Sequence, residues 1–257
     1  MLNFRNMNIT SIILLMLGIG AHVVYGFPVY PCIILFIVYA LLLFYGCYYV
    51  GSNFFIPIIC SLKTDKKVIA ISFDDGPDAQ NTPQILHLLK TNNAGAAFFC
   101  IGNKIAGNEA ILKQAIADGH IIGNHTFSHH YWFDMFNSKK MLTDMQQMDA
   151  ATNKATGKTP KLFRPPYGVT NPNLKKAIIN GNYTPVGWSV RSFDTVITDE
   201  KRLLNKMISK VKPGAVFLFH DTSKTTLAIL PQFLDHVKSN GYQIIRPDKM
   251  LNLQPYA

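Results

Sequence analysis

The sequence predicts an α/β fold with a mainly parallel sheet, preceded by an apolar segment suited to a membrane. Arg5 is the only charged residue among the first 60, although the chain carries 25 Lys plus Arg and 15 Asp plus Glu. From Lys67 onward, short apolar runs alternate with amphipathic stretches, the pattern of successive β-then-α units. We therefore expect an anchor over residues 1–62 and one large domain over residues 63–257.

The anchor contains two apolar runs without charged residues. Residues 32–50 are long enough to cross a bilayer and carry tyrosines near their end, so we predict a transmembrane helix there. Residues 9–24 are shorter and contain two glycines and a histidine, which leaves a second span, a signal peptide or an interfacial segment open. If both runs cross the membrane, the short link makes them a hairpin with both ends on one side.

Seven runs rich in Val, Ile, Phe and Ala are predicted as buried strands. They are residues 68–73, 96–101, 120–124, 161–164, 184–189, 215–219 and 242–245. Seven such units imply a parallel sheet, either open and doubly wound or closed into a barrel. One helix is expected to end at Gly119, and another to begin with Ser138 as its N-cap. The second helix has a methionine stripe, which we assign to the core.

Polar residues without an obvious packing purpose follow five of these strands. They are Asp74 and Asp75, His125 and His129, Arg164, Asp194, and His220. In a β/α barrel the C-terminal ends of the strands converge on one mouth, so these side chains are expected to share one site.

Two motifs point to metal chemistry. Adjacent carboxylates at Asp74 and Asp75 repel each other unless a cation or a proton lies beside them, although an acidic turn is the simpler alternative. His125 and His129 have the i, i+4 spacing that places two imidazoles on one helical face and lets them reach one metal ion. Together with Asp75 they supply two nitrogens and one oxygen, a ligand set typical of catalytic divalent sites.

These motifs resemble those of the polysaccharide deacetylase family, also called the NodB-homology or carbohydrate esterase 4 family. The matching segments are Ser72-Phe73-Asp74-Asp75-Gly76-Pro77, His125-Thr126-Phe127-Ser128-His129, Arg164-Pro165-Pro166-Tyr167, residues 188–195, and Leu218-Phe219-His220. The resemblance covers residues 67–253 and implies an irregular (β/α)7-type barrel. It also implies a hydrolase acting on carbon–nitrogen bonds outside peptides.

The resemblance further implies roles for individual residues. Asp75, His125 and His129 are expected to bind a divalent metal, with zinc as the expected ion. Asp74 corresponds to the general base, and Arg164 to the arginine that pairs with that base and favours its ionised form.

The remaining catalytic roles fall on the second half of the domain. His220 corresponds to the general acid, and Asp194 to the carboxylate that tunes it; Asp221 is the adjacent rival, or else a helix cap. The backbone N–H of Tyr167 is expected to stabilise the oxyanion, and Leu218 to line the pocket for the acyl methyl group.

The fourth motif departs from the family pattern. Where the family has Asp-x-x-Asp-Trp, this chain reads Arg191-Ser192-Phe193-Asp194-Thr195, so Arg191 replaces an acid and Thr195 replaces an aromatic residue. We expect Arg191 and Trp188 to contact substrate, and an added cation there suits a phosphate or a carboxylate.

The principal hypothesis is a membrane-anchored, metal-dependent deacetylase acting on N-acetyl groups of a cell-envelope glycan. The alternatives are a deacylase of a lipid-linked or soluble acylated sugar, an O-acetyl esterase, or a non-catalytic glycan-binding protein. Lysines are scattered rather than clustered, which argues against nucleic acid, and no protein partner is implied. The flanking basic residues favour a cytoplasmic domain, but the usual family substrates favour an extracytoplasmic one, which we expect.

Overall fold

The N-terminal residues form a helical hairpin. A computed structural model describes residues 3–257, in which helix α1 (Phe4–Tyr25) is followed by helix α2 (Tyr30–Tyr48). The Phe4 N–H donates to the Phe54 carbonyl at 3.0 Å, so the start of α1 lies beside the chain just beyond α2. Both helices are long and apolar enough to cross a membrane, and most of their large side chains are exposed. They suit a membrane anchor or a secretion signal.

The other helices alternate with strands as the sequence predicts. They are α3 (Asn81–Thr91), α4 (Glu109–Ala117), α5 (Ser138–Thr156), α6 (Pro172–Asn180), α7 (Glu200–Ile208), α8 (Lys224–Ser239) and α9 (Pro247–Leu251). The predicted cap of α5 is off by one residue: the Asn137 side chain accepts the Lys140 N–H, so Ser138 is the first helical residue. The methionine stripe of α5 is fully buried, which confirms its place in the core.

The strands form one curled parallel sheet. They are β1 (Val68–Asp74), β2 (Ala96–Cys100), β3 (Ile121–Asn124), β4 (Leu162–Phe163), β5 (Thr184–Pro185), β6 (Val190–Arg191), β7 (Val216–His220) and β8 (Gln243–Ile244). The order across the sheet is β5-β4-β3-β2-β1-β7-β6, and β8 pairs with the start of β1. The predicted α/β class and parallel sheet are confirmed.

The prediction of a single strand at residues 184–189 is wrong. β5 pairs with β4 at one end of the sheet, and β6 pairs with β7 at the other. The link between them turns the carbonyls of Val186 and Gly187 toward the guanidinium of Arg164 instead of toward a neighbouring strand. The sheet is therefore a half-barrel of eight strands and not a closed barrel of seven, since no β5–β6 pairing occurs among residues 3–257.

Alternation along β1 separates core from site. Ile71 and Phe73 pack into the main hydrophobic core, which α3, α4, α7 and α8 cover. The intervening Ser72 and Asp74 project to the opposite, concave side, where both contact Arg164. Side chains alternate between the two faces of β1. The strand therefore buries Ile71 and Phe73 in the core and ends with a carboxylate on the concave face.

The hairpin is joined to the domain close to this concave side. The Gly46 carbonyl of α2 accepts from the Thr170 hydroxyl at 2.9 Å, and the Cys47 carbonyl accepts the Thr170 N–H, also at 2.9 Å. Val50, just after α2, is buried in a cluster that contains Phe163 and Trp188. The end of α2 therefore lies against the loop that follows β4.

Candidate active site

The C-terminal ends of the central strands bring the predicted polar residues together. Asp74 ends β1 and lies in register with His220, which ends β7. His125 directly follows β3, and Arg164 directly follows β4. Because all these strands are parallel, their ends open on one edge of the sheet, as the sequence predicts.

Arg164 holds one oxygen of Asp74. Its Nη1 donates to Asp74 Oδ1 at 2.7 Å and to Ser72 Oγ at 2.8 Å. The guanidinium is completely buried and lies 4.0 Å from the centroid of the Phe99 ring. Such an ion pair, buried and hydrogen-bonded on several sides, fixes the orientation of the carboxylate and leaves its Oδ2 toward the site.

Asp75, His125 and His129 form a cluster of three potential metal ligands. Asp75 Oδ1 lies 3.4 Å from the Nε2 atoms of both histidines, and the ligand atoms of the three residues all lie within 4.8 Å of one another. His125 Nδ1 donates to the Arg164 carbonyl at 2.8 Å, which leaves the Nε2 lone pair for a metal. Asp75 Oδ1 is buried and accepts no hydrogen bond from the described residues. This donor set and orphaned oxygen fit a divalent metal ion.

The charges around this cluster also favour a cation. Burial alone would raise the pKa of Asp75, but the neighbouring histidines hold it below its usual range. Burial and His125 lower the pKa of His129 to about 4, so its imidazole is neutral, as a ligand requires. Burial opposes protonation of His125, yet Asp74 and Asp75 raise its pKa above the ordinary value. A bound metal would replace that proton between the carboxylates.

His125 and His129 lie on a loop and not on a helix, and this loop brings their imidazoles together. The expectation that they share a helical face is therefore wrong. Thr126 and His129 have left-handed backbone conformations, with φ of 67° and 44°, which end the strand geometry and turn the chain back. Asp75 and Tyr167 also have positive φ values of 72° and 59°. Such conformations are costly for residues other than glycine, and they concentrate here around one site.

Two residues that sequence reasoning missed hold this loop. Asp144 of α5 accepts the N–H groups of Phe127 and Ser128 at 2.7 and 3.1 Å, and the Ser128 hydroxyl at 2.6 Å. Asn124 Oδ1 accepts the Thr126 N–H at 2.8 Å. A carboxylate within the apolar stripe of α5 was the available signal for Asp144, because a buried acid needs partners.

His220 and Asp194 form a second buried pair. His220 Nδ1 donates to Asp194 Oδ1 at 2.6 Å, and the His220 N–H donates to Asp194 Oδ2 at 2.7 Å. Hydroxyls of Ser192 and Thr226 also donate to this carboxylate. Burial alone would lower the pKa of His220, but Asp194 raises it above the ordinary value. Burial likewise opposes ionisation of Asp194, yet His220 lowers the pKa of this carboxyl.

Asp221 has neither of the roles considered for it from the sequence. The side chain that caps α8 belongs to Ser223, which accepts the Thr226 N–H. Asp221 instead accepts from the Thr82 hydroxyl at 2.6 Å.

Burial of Asp221 raises its pKa to about 7, and the nearby Asp75 adds to this effect. Gly76 is required beside it, since a Cβ there would lie 2.0 Å from Asp221 Oδ2.

The site opens into a cavity of about 130 Å³. Its lining residues are Asp74, Asp75, His125, His129, Pro165, Tyr167, Trp188, Arg191, Thr195, Leu218 and His220. Nine of the eleven residues that the sequence nominates lie in this lining, and Arg164 and Asp194 lie behind it. Arg191 stands between two rings, 5.6 Å from the centroid of Trp188 and 5.0 Å from that of Phe193.

Comparisons with known proteins agree with this geometry. A family model described as polysaccharide deacetylase matches residues 61–186. A peptidoglycan-N-acetylglucosamine deacetylase of Bacillus cereus is 34% identical over 195 residues, which cover 74% of this chain and 91% of that protein. The peptidoglycan-N-acetylglucosamine deacetylase PgdA of Listeria monocytogenes is 31% identical over 79% of this chain, which spans 42% of that relative's length.

A solved structure shows the same fold. The Bc1960 peptidoglycan N-acetylglucosamine deacetylase superposes with a TM-score of 0.74 at 29% sequence identity. The superposition covers 78% of this chain and 95% of that one.

Proposed function

This chain belongs to the polysaccharide deacetylase family, and from that premise we propose that it removes N-acetyl groups from amino sugars of a cell-envelope glycan. The supporting observation is one cavity that contains a two-histidine, one-carboxylate cluster, a second carboxylate and a carboxylate-paired histidine. Named relatives that act on peptidoglycan amino sugars support this substrate class. We further propose that α1 and α2 anchor the enzyme in the cytoplasmic membrane, with the catalytic domain outside the cytoplasm.

Asp75, His125 and His129 would hold the metal, for which zinc is the ion that this ligand set suits. When bound, a divalent ion there supplies Lewis-acid polarisation of the acyl carbonyl and makes water more acidic. The His125 hydrogen bond to the Arg164 carbonyl orients one ligand, and the Asp144 contacts hold the loop that carries the other histidine.

Asp74 and His220 would move the protons. Asp74 Oδ1 is engaged by Arg164, so Oδ2 accepts a proton from the water that attacks the acyl carbon. His220 donates its Nε2 proton to the amide nitrogen as the carbon–nitrogen bond breaks, while its Nδ1–H keeps donating a hydrogen bond to Asp194. One water is consumed, the products are acetate, the free amine and one proton, and transfer of the Asp74 proton to His220 restores both side chains. The Tyr167 backbone N–H and the Leu218 side chain would receive the oxyanion and the acyl methyl group.

Acetate release from N-acetylated glycan fragments by the full-length, zinc-loaded protein tests the proposal. Asp74→Asn and His125→Ala should abolish release while leaving the protein folded, which circular dichroism checks; both variants should be less stable, because each loses contacts of a buried polar group. His125→Ala should also lose the bound metal, as measured by elemental analysis. Parallel assays on an O-acetylated sugar report the preferred bond.

Matched controls are Asp235→Asn and His87→Ala, which make the same chemical changes at exposed positions of α8 and α3. Both should retain full activity. Undiminished turnover in Asp74→Asn and His125→Ala would refute the mechanism, and tight glycan binding without metal or turnover would favour a non-catalytic protein.

A further inference from the structure

A second, larger groove adjoins the catalytic cavity. It has a volume of about 660 Å³, and its walls include Tyr48, Tyr49, Trp188, Arg191, Phe193 and Lys212. Trp188 and Arg191 also line the catalytic cavity, so the two spaces share a wall. The groove thus runs from the reacting centre to the end of α2.

The fixed charges of this groove are positive. Among residues 3–257, only Arg191 and Lys212 are charged and line it. Neither forms an ion pair within residues 3–257, although the chain does pair other cations, such as Lys90 with Asp118. Arg191 Nε is buried without a hydrogen-bond partner among the described residues. A cation left in this state favours an anion from outside the chain.

The aromatic neighbours of Arg191 are consistent with that role. Its guanidinium lies near the rings of Trp188 and Phe193, and Lys206 lies 4.1 Å from the Phe193 centroid. Stacking on ring faces uses the plane of a guanidinium and leaves its N–H edge available for a bidentate contact. The contacts thus support Arg191 without neutralising it.

We propose that this groove binds a phosphate group carried by the acylated sugar. A phosphate ester carries up to two negative charges and several acceptor oxygens, which match two unpaired cations better than a single carboxylate does. Arg191 borders both spaces, so the phosphate would lie next to the cavity that receives the acyl group. This inference rests on the proposed deacetylase function and specifies its substrate. The phosphate belongs either to a soluble sugar phosphate or to a lipid carrier, whose chain would follow the groove toward α2.

The test uses the full-length, zinc-loaded protein in detergent micelles. Acetate release is measured for N-acetylglucosamine 1-phosphate, for the same phosphate bearing a long lipid chain, and for the uncharged methyl glycoside. We expect kcat/KM for the phosphate substrates to exceed that of the methyl glycoside by about tenfold or more. Arg191→Gln and Lys212→Gln should reduce this ratio about tenfold, and Lys210→Gln, a nearby exposed control, should leave it unchanged.

The outcomes separate the two proposals. Preference for the lipid-bearing phosphate identifies a lipid carrier, whereas equal preference for both phosphates identifies the phosphate alone. Equal kcat/KM for charged and uncharged substrates, or preference for a carboxylate-bearing sugar such as N-acetylmuramic acid, would overturn the groove assignment and leave the deacetylase function intact. If no substrate releases acetate, calorimetry of sugar phosphate binding distinguishes the remaining cases. Binding that Lys212→Gln weakens would support the groove and refute the deacetylase function. Absence of such binding would refute both proposals.

Discussion

His220 is fixed on its far side by a carboxylate that has several hydrogen bonds of its own. Asp194 orients the imidazole and favours its charged form, so we propose that it acts through His220 and not on substrate. We expect Asp194→Asn to lower kcat by about 10²- to 10⁴-fold, because the amide does not hold the same tautomer. KM and metal content should change little, and steady-state kinetics with elemental analysis measure all three.

A carboxylate on the surface provides the comparison. Asp65→Asn makes the same change at an exposed position and should leave kcat unchanged. If Asp194→Asn raised KM and lost metal while kcat held, Asp194 would serve the ligand cluster and not His220.

Asp221 offers a prediction about pH and stability. Its pKa is raised to about 7 in the folded protein, above the value of roughly 3.9 for an unfolded aspartate. The folded state therefore binds more protons between about pH 4 and 7, so this group lowers the free energy of unfolding as pH rises through that window. Asp221→Asn removes the ionisable group and can still accept from Thr82. At pH 8 we expect it to raise the free energy of unfolding by roughly 1–4 kcal/mol.

Urea unfolding at pH 4, 6 and 8 checks this expectation. The gap between Asp221→Asn and the wild type should shrink toward pH 4, because the carboxyl is then protonated in the folded state and about half protonated in the unfolded state. A gap that is constant across the three pH values would show that Asp221 is not protonated in the fold.

Single residues of the site were predictable where they stood in contiguous motifs. Asp74, Asp75 and His125 could be placed because strand ends in a parallel sheet converge. Asp144 was not placed, because a carboxylate within the apolar stripe of α5 signals that it needs partners but does not show which loop supplies them. The left-handed turn at Thr126 was also hidden, because no glycine marks it.

At the scale of elements, helix α5 has two roles. Its methionines fill the core, and Asp144 on the same buried face holds the loop that carries His129. Asp144→Ala should weaken metal affinity by about 10- to 100-fold, because it removes three hydrogen bonds that orient this loop. Competition with a fluorescent chelator measures the affinity directly. Gln146→Ala, on the exposed face of α5, is the matched control.

A merely structural role for Asp144 predicts a different result. The unfolding midpoint would then fall while the metal affinity of the folded fraction stayed the same. Comparing affinity with unfolding in one sample distinguishes the two.

The order of strands was harder to predict than their positions. Residues 184–189 are a short run whose apolar composition resembles one buried strand, and local pattern does not report which neighbour each residue pairs with. The break depends on Arg164, which lies 22 residues before Val186 in the chain and whose guanidinium donates to the carbonyls of Val186 and Gly187. A tertiary contact therefore decides the secondary structure here.

At the scale of the whole molecule, the hairpin and the domain are joined at several points. Thr170 donates two hydrogen bonds to carbonyls at the end of α2. The Phe4 N–H donates to the carbonyl of Phe54, in the segment that links the hairpin to the domain. Residues 59–62 also bond to the domain, since Gly187 donates to the Ile59 carbonyl and Leu62 to the Gly214 carbonyl. Residues 59–62, which precede the predicted start of the domain at residue 63, therefore already pack against it.

This arrangement predicts membrane topology. If α1 and α2 both cross the bilayer, the N-terminus and the catalytic domain lie on the same side, and we expect that side to be extracytoplasmic. Protease added to intact spheroplasts should then remove an N-terminal epitope and digest the domain together. Opposite accessibility of the two would exclude the hairpin as a membrane-spanning unit, and protection of both would place the enzyme in the cytoplasm.

The contacts of Arg164 determine which residues of this site can be substituted without loss of the fold. Only one of its contacts is to Asp74, while its others hold Ser72 and the carbonyls that join β5 to β6. A lineage that abandoned hydrolysis would lose the catalytic need for Asp74 but would keep a structural reason to retain both residues, since removing the carboxylate alone leaves a buried guanidinium without its counter-ion. Among descendants of such a chain, this pair would therefore mark ancestry, and the three potential metal ligands would mark activity.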